Sequence, residues 1–180
     1  MAEATLNRTE NGLVPQGQGW YVLNAREAKW LHSHGAGSYC GFEGEVRFPE
    51  LGININVMEP GEPMSMYHTE NAQEDFLVLS GEALLIVEDE ERPLRQWDFF
   101  HCPAYTAHTI LGAGDGPCVI LAAGARIEPS EARPDGEFVV SEVAIRHDAG
   151  VEREGTSAKE AYARFGPFED GPYRRGTLPD

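Results

Sequence analysis

Four side chains in the middle of the sequence have the types and spacing of a metal site. His68 and Glu70 stand two residues apart, so both would point to the same face of an extended strand. The residues at 71–73 can turn the chain and bring Glu74 back beside them on the next strand. Closure of a barrel could deliver His108 to the same point. The spacing therefore predicts a cluster of two imidazoles and one or two carboxylates.

A divalent metal ion is the simplest reason to gather these groups inside an apolar barrel, because unpaired buried carboxylates carry a large desolvation cost. Two histidines and one carboxylate form the ligand set associated with non-haem Fe(II), and Mn, Ni and Zn are also compatible. We therefore predict a divalent transition metal cofactor, either Fe, Mn, Ni or Zn. The alternative is a His–carboxylate cluster held together by hydrogen bonds alone.

The segments that would position this cluster have the sequence pattern of short strands. Apolar runs are separated by Gly, Pro or acidic residues at intervals of roughly 8 to 12 residues, which is typical of an all-β sandwich or barrel. The acidic stretch Glu88–Glu91 is interpreted as a solvated hairpin tip. The apolar runs are Gly52–Met58, Phe76–Leu79, Ala83–Val87, Trp97–Cys102, Thr109–Leu111 and Val119–Ala123.

The sequence on either side of these runs predicts two arms. Residues 1–45 form an N-terminal arm, residues 46–126 the barrel, and residues 127–180 a C-terminal extension with one strand, one helix and a loose tail. In the first arm, a capping-box-like start at Asn24 predicts a helix over Ala25–Leu31. In the extension we expect a strand over Phe138–Ile145 and a helix near Ser157–Phe165, capped by Ser157.

Composition narrows the class of protein. The 180 residues contain 14 Lys and Arg against 30 Asp and Glu, which gives a formal charge of −16. Such a surface repels phosphate, so neither nucleic acid nor an anionic membrane is an expected partner. No apolar run approaches membrane-spanning length and the N-terminus lacks a secretory pattern, so we expect a cytoplasmic protein. The three cysteines are predicted to be small buried residues: Cys40, Cys102 and Cys118.

The motifs around the four side chains resemble those of the cupin superfamily. The first cupin motif is matched by Gly61, His68, Glu74 and Gly81, and the second by Pro103 and His108. The resemblance implies a double-stranded β-helix, that is, a jelly-roll barrel, with short helices in the two arms. It also implies a homodimer, because cupins commonly pair through sheet faces and exchanged arms.

By the same resemblance, His68, Glu74 and His108 take the ligand positions of the family. Glu70 stands where the family usually has its second histidine. Its carboxylate could bind the metal as a fourth ligand, accept a hydrogen bond away from it, or act as a general base. Two further departures are Trp97 and Tyr105, which replace glycines of the second motif.

The other histidines have simpler interpretations. Alternation along Trp97–Cys102 places His101 on the face opposite the core, as a structural or dimer-surface residue. His32 and His34 would share a face if extended and could bind metal, but in a polar arm we interpret them as solvated or lid-like. His147 is expected to form a surface pair with its neighbour Asp148.

These observations lead to a functional hypothesis with alternatives. We expect a metal-dependent dioxygenase or isomerase that acts on a small anionic or oxygen-bearing molecule, with Glu70 as the catalytic base. The second hypothesis is a non-catalytic binding or sensing protein with an altered metal site. The third is a dimerisation module without chemistry.

Overall fold

The structure is a computed structural model and describes residues 1–179. Two facing sheets dominate it. The larger has the strand order β12-β3-β4-β5-β11-β6-β9, the smaller the order β10-β7-β8, and β1 and β2 form a separate hairpin. The strands are β1 (Thr5–Thr9), β2 (Gly12–Gln16), β3 (Lys29–His32), β4 (Ser38–Cys40), β5 (Leu51–Met58), β6 (Glu74–Ser80), β7 (Glu82–Val87), β8 (Glu90–Arg95), β9 (Phe99–Cys102), β10 (His108–Ala113), β11 (Cys118–Ala125) and β12 (Glu169–Pro172).

The main core lies between these two sheets. Alternate residues of each strand point inward, as the period of a strand requires. The smaller sheet contributes Leu85 and Ile110, and the larger contributes Phe76, Val78 and Ile120, all at most 4% exposed. This antiparallel arrangement is the all-β jelly-roll barrel that the sequence predicted.

The chain before β6 extends the smaller sheet, which matters for the site. Between Pro60 and His68 it runs beside β10 and makes isolated bridges to it. The amide of Met64 donates to the carbonyl of Ile110 at 2.8 Å. His68 is therefore placed against the first residue of β10 by backbone hydrogen bonds.

The six apolar runs are confirmed as strands, with small changes at their ends. Within residues 46–126, one strand was missed. β8 has the polar sequence EERPLR and is largely exposed at the edge of its sheet, so it carries no apolar signal. The hairpin tip is confirmed in a shorter form, since Glu88 and Asp89 alone connect β7 to β8, with φ of 49° and 61°.

The predicted helix over Ala25–Leu31 is wrong. The side chain of Asn24 does cap a single turn by accepting from the Arg26 amide at 2.9 Å. The chain then enters β3, because Trp30 is 1% exposed in a second core cluster and β3 gains hydrogen-bonded partners on both sides. One of these partners is β12, which lies in the tail that was expected to be loose. The division of the chain at residues 45 and 126 stays a prediction.

The C-terminal extension also differs from expectation. Within Phe138–Ile145, the predicted strand is replaced by helix α1 (Glu142–Arg146), because the Ser141 hydroxyl caps the Ala144 amide and Ala144 is fully buried. The second predicted helix is confirmed only as α2 (Ala158–Ala161), with Ser157 as its cap. No helix within residues 1–179 is long and apolar enough to cross a membrane.

The two glycine replacements keep a glycine-like backbone. Trp97 has φ of 74° and Tyr105 has φ of 66°, in the left-handed region. Bulky residues hold that conformation at a cost of about 1 to 3 kcal/mol. At Tyr105 two hydrogen bonds compensate, since its amide donates to Glu70 at 2.7 Å and its hydroxyl to Pro134 at 2.8 Å. Both positions thus keep a left-handed backbone although neither is glycine.

If β3 belongs to the structural core, Trp30→Ala should lower the free energy of unfolding by about 3 to 5 kcal/mol, because it leaves a large cavity. Urea denaturation followed by circular dichroism measures this loss. The matched control is Trp20→Ala, which removes a 54% exposed side chain. Its effect should stay within about 0.5 kcal/mol. Equal losses in both variants would contradict the assignment.

Candidate metal centre

The two central histidines are brought together by their backbones. The amide of His68 donates to the carbonyl of His108 at 3.1 Å, and the amide of His108 donates back at 2.9 Å. Residues paired in this way across two antiparallel strands direct their side chains to the same face. The ring centroids consequently lie 5.0 Å apart.

The third member of the cluster comes from the larger sheet. Glu74 opens β6, and its Oε2 atom lies 3.3 Å from Nε2 of His108. Each of His68, Glu74 and His108 offers one donor atom, and these atoms all lie within 4.8 Å of one another. The His108 side chain is 1% exposed, whereas those of His68 and Glu74 are 14% and 23% exposed. The cluster is therefore buried on one side and open on the other.

Hydrogen bonds orient both imidazoles for metal binding. Nδ1 of His68 donates to the Met66 carbonyl at 2.7 Å, and Nδ1 of His108 donates to the Thr106 carbonyl at 3.1 Å. A proton fixed on Nδ1 leaves the Nε2 lone pair free, which is how protein scaffolds prepare histidine ligands. Both Nε2 atoms are thus available to the cluster.

The buried side of the cluster fits a metal ion. Within residues 1–179, Nε2 of His108 and Oε2 of Glu74 are buried side-chain atoms without a hydrogen-bond partner. Phe76 and Phe100 pack against His108 with ring centroids at 5.5 and 5.9 Å and exclude other polar groups. Leaving buried polar atoms unpaired costs free energy. Two ligand atoms that bind one ion at about 2.1 Å lie ~3.4 Å apart, close to the 3.3 Å between these two atoms.

The electrostatics of His108 favour a positive charge at this point. Burial lowers the pKa of its imidazole, but the Cys102 sulfur at 3.3 Å from Nδ1 and the Glu74 carboxylate outweigh burial and raise the pKa to about 10. The surroundings therefore stabilise a cation between His108 and Glu74. A divalent ion would meet that requirement and replace the proton.

Glu70 lies beside the cluster without belonging to it. Its Oε1 atom is 3.4 Å from Nε2 of His68, and its side chain is 42% exposed. It is outside the set of donors that lie within 4.8 Å of one another. The hydrogen bond with His68 lowers the pKa of Glu70, against the opposing effect of burial. Glu70 is thus an ionised, accessible carboxylate at the rim, and its roles as ligand and as base stay predictions.

The remaining histidines of the sequence lie elsewhere. His101 points outward from β9 and contacts Asp75 at 2.7 Å, as the alternation predicted. Both ring nitrogens of His32 are occupied, by Ser38 at 2.9 Å and by the Pro172 carbonyl at 3.0 Å. His34 is not part of a potential metal cluster among the described residues. None of the three belongs to the candidate cluster found within residues 1–179.

The expected pairing of His147 with Asp148 is wrong. His147 contacts Glu91 at 2.9 Å, because α1 packs beside the hairpin of β7 and β8. Asp148 instead pairs with Arg164 at 3.3 Å. Sequence neighbours at the end of a helix diverge in direction, so adjacency alone did not predict contact.

Several residues of the site had no sequence signal. Phe138, in the extension, stacks on His68 with ring centroids 6.0 Å apart, and Tyr162 packs edge-on against Phe138 at 6.0 Å. Burial raises the pKa of the Tyr162 hydroxyl, and the charges of Glu70 and Glu74 add to this effect. Cys102, which was expected only to be buried, contacts the candidate ligand His108. The other two cysteines are also buried and unpaired.

Comparison with known proteins agrees with this architecture. Residues 54–124 match the family model described as Cupin domain. The segment that carries the cluster therefore matches a cupin domain. No curated protein matches the sequence significantly.

Similar solved structures include two proteins named as sugar phosphate isomerases. A protein named provisionally as a sugar phosphate isomerase, from Acidithiobacillus ferrooxidans, is 32% identical over 43% of this chain and 51% of its own, with a TM-score of 0.42. A sugar phosphate isomerase from Silicibacter pomeroyi is 25% identical over 57% of this chain and 62% of its own, with a TM-score of 0.44. This chain thus spans between half and two thirds of their lengths.

A third structure supports the fold alone. The polyketide cyclase RemF from Streptomyces resistomycificus is 11% identical over 62% of this chain and 83% of its own, with a TM-score of 0.52.

If the cluster binds an ion, the protein should take up one divalent cation per chain, and His108→Ala should weaken binding at least about 100-fold, the upper end of what outer-shell changes cause. Binding should release protons and weaken as the pH falls, because protons compete for the imidazoles. Titration calorimetry in buffers of different ionisation enthalpy measures both effects. His101→Ala is the control and should retain wild-type affinity, and equal losses in the two variants would contradict the assignment.

Proposed function

We propose that this protein is a metal-dependent enzyme that catalyses proton transfer on a small, oxygen-bearing organic molecule, as an isomerase does. The observation that carries this proposal is the cluster of His68, Glu74 and His108, with a separate carboxylate, Glu70, at its open side. A divalent ion bound there supplies Lewis-acid polarisation of a ligand oxygen. The expected location in the cytoplasm stays a prediction.

The protein supplies the base in this proposal. Glu70 is ionised, partly exposed and held near His68, so its Oε1 atom can accept a proton from a ligand that sits over the cluster. The backbone carbonyl of Glu70 accepts a hydrogen bond from the Tyr105 amide at 2.7 Å. That contact fixes the residue while leaving its side chain free to receive the proton.

A second candidate function is oxygen-dependent chemistry. Two histidines and one carboxylate are the protein ligands of many non-haem Fe(II) oxygenases, and the present cluster has that composition. In this case Glu70 has no necessary role as a base. The two candidates therefore differ in their need for oxygen and in their sensitivity at position 70.

The proposed proton transfer requires the Glu70 carboxylate. Glu70→Gln should lower kcat by about 100-fold or more and leave metal affinity near that of the wild type, because it removes a base and preserves shape. A panel of hydroxy acids, keto acids and sugar derivatives can be screened with metal-loaded protein in deuterated water. Solvent deuterium should enter the product.

Three controls separate the alternatives. Glu137→Gln, a change of the same type at a neighbouring carboxylate of the extension, should leave turnover unchanged. Oxygen consumption that persists in Glu70→Gln would favour the oxygenase. Ligand binding without turnover in any metal form would favour a binding or sensing protein and contradict the proposed catalysis.

We also propose that two copies pair through the outer face of the larger sheet. Near β9 this face carries apolar side chains, with Phe99 61% exposed and Leu77, Leu121 and Ile53 half-buried. Asp75, on the same face, is paired with His101. Two chains that each carry a charge of −16 can meet on such a neutral face with little repulsion.

Pairing through this face predicts a particle of twice the chain mass of 19.8 kDa. Phe99→Glu should convert it to a monomer, because it places a carboxylate at the buried contact. Light scattering after gel filtration measures the mass. Val22→Glu changes an 81% exposed residue in the N-terminal arm and should preserve the dimer. A wild-type monomer would refute the pairing.

A further inference from the structure

The C-terminal extension reaches into the metal centre. Phe138 makes an isolated bridge with His68, and its ring lies 6.0 Å from the imidazole. Gly136 permits this approach, because a Cβ atom there would lie 1.9 Å from the Thr69 carbonyl oxygen. The extension therefore packs on the segment that carries His68.

Tyr162 connects the extension to His68 through a hydrogen-bonded path. The amide of Met66 donates to the Tyr162 hydroxyl oxygen at 3.1 Å. The carbonyl of the same Met66 accepts from Nδ1 of His68 at 2.7 Å. Both backbone groups of Met66 are thus engaged, one by the extension and one by the candidate ligand.

We propose that Tyr162 is a positioning residue for His68, acting through Met66. This inference rests on the proposed metal site and assigns the C-terminal extension a part in it. The path fixes the Met66 carbonyl, which holds the proton on Nδ1 of His68. Nε2 of His68 then faces Glu70 and the cluster.

The hydroxyl, rather than the ring, carries this role. A phenylalanine at position 162 would still pack against Phe138, whose ring meets that of Tyr162 at 81°. It would leave the Met66 amide without its partner, and Met66 is fully buried. An unpaired buried amide favours a shift of the local backbone. The carbonyl that orients His68 would move with it.

Tyr162→Phe tests the inference. In the protein without added metal, ¹⁵N NMR of the imidazole rings should show a mixture of His68 tautomers and faster exchange of the Nδ1 proton. In titrations with Zn²⁺ or Mn²⁺, affinity should fall about tenfold, as for other outer-shell partners of histidine ligands. Tyr173→Phe is the matched control, because its hydroxyl also accepts a backbone amide, from Leu178 at 3.1 Å. Tyr173→Phe should change neither the His68 ring signals nor the metal affinity.

A second variant distinguishes the effect of the Tyr162 hydroxyl from the effect of ring packing on His68. Phe138→Leu keeps the Tyr162 hydroxyl and changes only the ring that stacks on His68. It should retain the wild-type Nδ1 proton signal. Loss of that signal in Phe138→Leu to the same extent as in Tyr162→Phe would show that packing orients His68, and would overturn the inference.

The test also distinguishes failure of the inference from failure of the proposed function. A wild-type protein that binds neither ion refutes the metal site, whereas the ring signals of His68 still report on Tyr162. Identical ring signals and affinities in wild type and Tyr162→Phe refute the positioning role alone. Circular dichroism melting curves confirm that each variant compared is folded.

Discussion

The site depends on one constraint, the burial of His108 and Glu74 against each other. Their facing atoms lie 3.3 Å apart, and within the described residues neither has a hydrogen-bond partner. Aromatic rings beside His108 exclude other polar groups. Such an arrangement is unfavourable unless a proton or a metal ion lies between the two groups. The metal assignment follows from this pair, and the proposed roles of Glu70 and Tyr162 rest on that assignment.

The barrel can hold this pair because its two sheets meet there. Reciprocal backbone hydrogen bonds join His68 to the first residue of β10, while Glu74 begins β6 in the opposite sheet. Both imidazoles are anchored through Nδ1 to carbonyls close to them in sequence. Short local contacts therefore set the orientation of each ring, and sheet closure sets the distance between them. The chain carries a strongly negative net charge, with the candidate cation site inside the barrel.

The two arms are integral to this architecture. β3, β4 and β12 extend the larger sheet, so residues from both ends of the chain pair beside the barrel. Tyr105 retains a strained backbone in a glycine position, and its two hydrogen bonds join the second motif to Glu70 and to the extension. The extension also packs on His68 through Phe138. A barrel cut at the ends of its motifs would lack these contacts.

The sequence by itself determined six strands of the barrel and the three converging residues, because strand alternation and motif spacing are local patterns. It misassigned Ala25–Leu31, whose capping residue forms a single turn before burial of Trp30 and pairing with β12 impose a strand. Only the tertiary structure placed Phe138 and Tyr162 beside His68. Their contacts join segments far apart in the chain, and the free energy of such packing depends on the closed fold rather than on any local pattern.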